Sequence, residues 1–388
     1  MSKNMVILSV SVGEGHNQVS RALKEEWEER GYEAVIIDVF SLINITAAKH
    51  FKSAYFFCIK CFPRFWDGIY RLTNLYSVSH IIRPVLKLWW RKQGDLLKDN
   101  NCHLIVATHP LATQVAILLQ EQVNKKIPLF SVVTDFSTHQ LSVSKHVTGV
   151  FLTEEGEAEK LKAQHPHCNF YPYGIPVRKV WHREVKKEEL RKKLGIHSAL
   201  PIIVVAGGGE GLIAEREIIK ILEQESEPCN VFWFKGKRGT HKSEIVKLIN
   251  GTIINNKSFS SDYVNYVMAA DLIISKPGGV SMAEAVYLNI PVGMLSPLPG
   301  QEKINQAILE DYPNIYSVND TTSVTELIKR ANKERTEDLT LPICSRKKVV
   351  DMLLSESELV EWNKTAMQRE KHVPSSAERS QTQYNHEG

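Results

Sequence analysis

The chain has 388 residues, enough for two ordinary domains, and 48 Lys and Arg against 44 Asp and Glu leave a formal net charge of +4, which speaks against a nucleic-acid binder held by bulk charge. Among 6 cysteines only Cys58 and Cys61 share a paired spacing, with no second pair to complete a zinc site, so a reduced, cytoplasmic setting is expected. No apolar run approaches the ~20 residues that span a bilayer and no signal-cleavage region follows Met1, so membrane contact is expected to be peripheral.

Met5 to Val10 reads as a buried strand. The turn Gly13-Glu14-Gly15-His16 follows, then a helix to Arg30 with Val19, Leu23 and Trp27 at helical spacing, and a strand from Ala34 to Val39. The chain thus opens as a βαβ unit, in which ligands lie at the carboxyl ends of strands. His16 therefore stands where a catalytic base would belong, although a helix-start histidine without that role shows the same pattern.

From Lys49 to Lys92 aromatic residues, among them Phe57, Phe65, Trp66, Trp89 and Trp90, alternate with Lys and Arg, and Asp67 is the only acid. Rings mixed with long basic chains suit a segment that enters an anionic headgroup layer; they equally suit core helices with a solvated basic face. His103 to Thr108 and Pro128 to Thr134 are further strands, the second delivering Asp135 to His139 to the same sheet edge as His16. His146 to Thr153, Glu154 to Gln164 and Asn169 to Tyr171 complete a first sheet, and Tyr173 to Arg178 reads as a hinge.

The second half repeats the design: a strand from Pro201 to Ala206, the glycine loop Gly207 to Gly211, and a helix from Leu212 to Glu225. A nucleoside-triphosphatase loop is excluded by the missing GK-S/T, and after Val231 to Phe234 the run Lys235-Gly236-Lys237-Arg238 suits phosphate better than a bare ribose. Thr252 to Asn255 and the helix Asp262 to Ala269 come next. The strand Leu272 to Ser275 then meets the turn Pro277-Gly278-Gly279 and a helix from Val280 to Leu288 that carries Ser281 and Glu284. A helix N-terminus behind glycines suits an anionic diphosphate, and Glu284 can accept from vicinal ribose hydroxyls. After Pro291 to Leu295, the residues Gln301, Glu302 and Asn305 offer the donors and acceptors of a sugar site. No D-x-D pair is present to bridge a metal, so metal-independent chemistry is expected.

The runs KPGG-x-S-x-x-EA and P-x-PGQE-x-x-N, with G-x-GH at Gly13 to His16 and TDF-x-x-H at Thr134 to His139, resemble the inverting GT-B glycosyltransferases of the monogalactosyldiacylglycerol synthase and processive diacylglycerol glucosyltransferase family. The resemblance implies an α/β fold of two Rossmann-like domains facing across a cleft: 1–174 on the acceptor and membrane side and 175–345 for the nucleotide sugar. A helix at 346–368 would pack at the junction, and a polar tail at 369–388 would be disordered.

It implies His16 or Asp135 as base and a UDP-sugar held by Gly15, Gly208, Gly209, Phe259, Gly278, Gly279, Ser281, Glu284, Gln301, Glu302 and Asn305. The acceptor and membrane side would take His139, Phe57, Phe65, Trp66, Trp89 and Trp90. The expected activity is transfer of glucose or galactose to diacylglycerol or a related glycolipid, at the inner face of the cell membrane and without nucleic acid or metal. Relatives carry a tryptophan where this chain has Ser142, which leaves an undecaprenyl-linked or soluble acceptor open. A nucleotide-sugar sensor without turnover is the alternative of a different class.

Overall fold

The computed structural model describes residues 3–357 except 12, 44, 76–77, 91–92, 124–125, 210, 212, 237–243, 259, 261, 320–321 and 335–344. Phe259, Lys237, Arg238 and the tail 369–388 lie outside the described residues. In chain order the first domain contains β1 (Met5–Ser9), α1 (Gly15–Glu29), β2 (Ala34–Asp38), α2 (Ile45–Cys61), α3 (Pro63–Thr73), α4 (Val78–Trp89), α5 (Asp95–Asp99) and β3 (Leu104–Ala107). It continues with α6 (Pro110–Val123), β4 (Leu129–Val132), β5 (Gly149–Leu152), α7 (Glu155–Gln164) and β6 (Asn169–Pro172). The second has α8 (Lys187–Lys193), β7 (Ile202–Ala206), α9 (Glu215–Glu223), β8 (Asn230–Phe234), β9 (Glu244–Lys247), β10 (Ile253–Lys257) and α10 (Tyr263–Ala269). It closes with β11 (Leu272–Ser275), α11 (Gly279–Tyr287), β12 (Val292–Met294), α12 (Gln301–Leu309), β13 (Ile315–Ser317) and α13 (Val324–Glu334).

Each domain is a sheet with helices on both faces. The strands read as unbroken apolar runs, MVILS, LIVA, IIVVA, LIIS, because helices bury both sides of a parallel sheet. The orders are β2-β1-β3-β4-β5-β6, all parallel, and β13-β12-β11-β7-β8-β10-β9, where β9 alone pairs antiparallel. Two strands, β9 and β13, carry no mark in the sequence reading. The helix expected from Leu212 begins only at Glu215, so the glycine loop does not run directly into a helix N-terminus.

The strand orders dictate where a ligand goes. In the first sheet the chain turns in opposite directions after β1 and β3, and in the second after β7 and β11; crevices at such switch points open at the strands' carboxyl ends. Gly13 to His16 follow β1, Gly207 to Gly209 follow β7, and Pro277 to Gly279 follow β11. The two switch points face each other. One apolar cluster, from Trp27 and Phe151 through Phe136 and Val280 to Met282 and Leu309, is continuous across the domain junction. A final helix, 346–357, buries Val349, Val350 and Leu353 there, with Arg346 paired to the buried Glu26 at 2.9 Å. Among the described residues no helix is long and apolar enough to cross a membrane.

Candidate active site

A cavity of about 440 Å³ fills the crevice. From the first domain Gly15, His16, Thr134 and Asp135 line it; from the second, Gly208, Gly209, Gly278, Gly279, Ser281, Glu284, Gln301 and Glu302. A second cavity, about 510 Å³, lies in the first domain between α2, α3, α4 and the ends of β3 and β4, walled by Phe40, Ile69, Leu86 and other apolar side chains. His16, Tyr55, Thr134, Asp135 and Gln301 line both cavities. The more polar of the two chambers and the more apolar one thus share a wall of titratable and hydrogen-bonding groups.

His16 stands at the start of α1, its Nδ1 3.0 Å from the Thr108 carbonyl and 2.7 Å from the Thr134 hydroxyl. A carbonyl only accepts, so the proton is assigned to Nδ1, which leaves Nε2 with the lone pair of a base. Burial lowers the His16 pKa; the charge of Asp135 and the Thr108 carbonyl work against it. His16 is therefore neutral at pH 7, while Asp135 favours the imidazolium that proton uptake creates. His109 packs edge-on against His16 at 4.5 Å, and burial holds its pKa well below the ordinary value.

The second-domain wall is built from a turn and a helix end. Gly278 caps α11, and nothing crowds it on the cavity side. Gly279 has a different reason to be glycine: a Cβ there would lie 2.1 Å from the Thr134 carbonyl oxygen. The glycine that suggests phosphate contact in the sequence lines the cavity and is also a point where the domains touch. Glu284, one α-helical turn further, accepts from the Trp181 indole N–H at 2.9 Å. Burial pushes its carboxyl up to about 8, against the opposite pull of Trp181 and Arg178. Glu302 accepts the Leu298 N–H at 2.7 Å and fixes the loop ahead of α12; burial raises its pKa.

Two expected site residues belong elsewhere. Asn305 is 0% exposed and fully used: its amide donates to Asp135 at 2.9 Å and to the Pro277 carbonyl at 3.0 Å, and its oxygen accepts the Phe136 N–H at 2.9 Å. It ties the domains together and offers a sugar nothing. Trp90 is 4% exposed and donates to the Val39 carbonyl at 2.9 Å, so it is core and cannot enter a headgroup layer. Trp66 faces the apolar cavity, its buried indole N–H without a partner. Phe57, Phe65 and Trp89 are exposed. His139 is buried at the apolar cavity, 3.3 Å from the Thr73 hydroxyl, and burial lowers its pKa to about 4.

Several lining residues escape the sequence reading. Lys276, inside the KPGG run, lines the polar cavity; burial lowers its pKa while Glu302 and Glu217 raise it. Trp181 lies in a short 3-10 turn past the hinge, and Tyr55 sits among aromatics that composition leaves open between surface and core. Only the run K-P-G-G offered a signal, since a cation beside a helix N-terminus suits a diphosphate. Among the described residues no group of three or more His, Cys, Asp or Glu is placed to hold a metal ion.

The family model described as monogalactosyldiacylglycerol (MGDG) synthase matches residues 16–177. Processive diacylglycerol β-glucosyltransferase of Bacillus pumilus is 27% identical over 94% of this chain and 98% of its own, and that of Bacillus subtilis 26% over 95% and 98%. Among solved structures, MurG of Acinetobacter baumannii superposes with a TM-score of 0.53 over 92% of this chain and all of its own at 14% identity. TcCGT1 in complex with UDP gives 0.52 over 94% and 100% at 13%. The fold is the GT-B arrangement expected from the sequence.

Proposed function

We propose that this chain, similar to monogalactosyldiacylglycerol synthase over residues 16–177 and to processive diacylglycerol β-glucosyltransferases over most of its length, moves glucose or galactose from a UDP-sugar to diacylglycerol or a related glycolipid. The observation that carries the reading is the shared wall: a polar cavity sized for a nucleotide sugar and an apolar cavity suited to acyl chains meet at His16, Thr134 and Asp135. A transfer between a charged donor and an oily acceptor needs that juxtaposition.

In this reading Glu284 meets the ribose, Gly278 and the N-terminus of α11 with Lys276 receive the diphosphate, and Gln301 and Glu302 hold the hexose. The acceptor hydroxyl enters from the apolar side, where the Trp66 indole N–H offers a donor. His16 Nε2 takes the hydroxyl proton as the acceptor oxygen bonds to the anomeric carbon and the bond to UDP breaks on the opposite face, so an α-linked donor gives a β-glycoside. The developing charge on UDP is met by fixed backbone dipoles and Lys276, and metal-independent transfer is part of the proposal. A seat at the inner face of the cell membrane is part of the reading, supported by the exposed Phe57, Phe65 and Trp89 on α2 to α4.

The test is UDP release from UDP-glucose with and without liposomes containing diacylglycerol. Release that depends on the lipid supports the reading. Release without it points to a soluble acceptor or hydrolysis, and tight binding with no release points to a sensor.

A further inference from the structure

The segment Arg178 to His182 joins the two domains and is fastened on both sides. Arg178 donates to Glu25 of α1 at 2.9 and 2.7 Å, and Lys179 pairs with Glu29 of the same helix at 2.7 Å. On the other side the His182 ring and the Tyr287 hydroxyl at the end of α11 share a hydrogen bond. Trp181, between these anchors, is 3% exposed and lines the polar cavity.

Its indole N–H donates to Glu284 Oε1 at 2.9 Å, and among the described residues it is the sole hydrogen bond to that carboxylate. A glutamate side chain has several staggered arrangements, and one fixed donor selects among them. The donor is itself held: the indole meets the Tyr263 ring of α10 at 89° with 6.1 Å between centroids, and Tyr263 meets Phe234 at the end of β8 at 5.0 Å. An ionised carboxylate has about four lone-pair sites, so one spent on the indole leaves enough for two ribose hydroxyls.

We propose that Trp181 is a positioning residue for the nucleotide: its N–H fixes the Glu284 carboxylate in the orientation that accepts both ribose hydroxyls, and so sets the preference for a ribonucleotide. The proposal rests on the functional reading above, in which Glu284 meets the ribose. A donor to the charged form also favours that form. Burial pushes the Glu284 carboxyl up to about 8 while Trp181 and Arg178 pull it down, and Tyr263 faces the same carboxylate. Ribose hydroxyls donate to the ionised group, so UDP affinity rises with pH until Glu284 is ionised in the free protein, and loss of the indole N–H moves that plateau to higher pH.

UDP and 2′,3′-dideoxy-UDP are titrated by calorimetry into full-length wild type, Trp181→Phe and Trp181→benzothienylalanine, the last replacing the N–H by sulfur in a ring of nearly the same shape. Wild type is expected to prefer UDP by about tenfold or more. Both variants should keep less than about threefold of that preference, while dideoxy-UDP binds all three proteins within about twofold. Above pH 7 the rise of UDP affinity should shift upward in both variants and be missing for dideoxy-UDP. If Trp181→Phe does not fold, the benzothienyl protein, with its packing kept, decides the matter. Full preference in that protein, or equal loss of both nucleotides, overturns the proposal while the transferase reading stands. A wild type that binds both nucleotides alike takes the ribose off Glu284 and the proposal with it, and one that binds neither removes the functional reading itself.

Discussion

The two walls of the polar cavity are built by different means. The second-domain wall is a strand, a glycine turn and a helix start in one continuous run, so Gly278, Ser281 and Glu284 are placed by local geometry. The first-domain wall is assembled from separated pieces: His16 after β1, Thr134 and Asp135 after β4, Tyr55 from α2. The backbone of the first kind of wall presents dipoles at fixed positions, which suits a constant nucleotide. A wall of side chains from several helices can vary with the acceptor.

The contrast can be broken at several points, and the largest effect is expected at His16. His16→Ala should cut turnover by about 10²- to 10⁴-fold while UDP affinity stays put, because the proposal sets the base on the side-chain wall and the nucleotide on the backbone wall. Its pH behaviour sharpens this. Burial lowers the His16 pKa, so the acid limb of kcat/KM should fall below the ordinary imidazole value of 6.5; a limb above it contradicts a buried neutral base.

Next comes Asn305→Ala. It strands the Pro277 carbonyl and the Phe136 N–H where the walls join, and should cost about 2–3 kcal/mol in thermal unfolding, since each buried group left unpaired is expensive. A loss of sugar affinity with unchanged stability would return Asn305 to the ligand.

Glu284→Gln probes the backbone wall through pH. With its carboxyl pushed up to about 8 from an ordinary 4.5, the folded protein holds the extra proton between those values, and stability falls as pH rises through that window. The glutamine variant lacks this slope. Its melting temperature should match wild type near pH 4, with a gap that opens through the window and is full near pH 9; parallel curves would contradict the raised carboxyl.

How much of this was legible in the sequence follows from the same contrast. The βαβ opening and both glycine turns could be read from spacing, since each turn follows a strand end, while the meeting of His16, Glu284 and Gln301 at one crevice was implied by the family resemblance. Asn305 could not, because its partners Asp135 and Phe136 lie in the other domain. Trp90 shares its composition with exposed Trp89 beside it, and only the fold of α4 against Val39 turns one inward. Gly279 reads in the sequence as a place for a diphosphate to approach, and the approach of the Thr134 backbone from the other domain has no mark there.

The smallest effect on chemistry and the clearest on location is expected from the exposed rings. Phe57→Ser with Phe65→Ser should lower sedimentation with anionic liposomes several-fold and leave UDP affinity unchanged. Equal loss of both would make these rings part of the fold.

The most direct measurement is proton NMR of the lipid product formed from UDP-glucose on diacylglycerol vesicles. A β-linked glucosyl diacylglycerol is the result of in-line transfer across the wall at His16. An α-linked glycolipid, or free glucose as the only product, would contradict it.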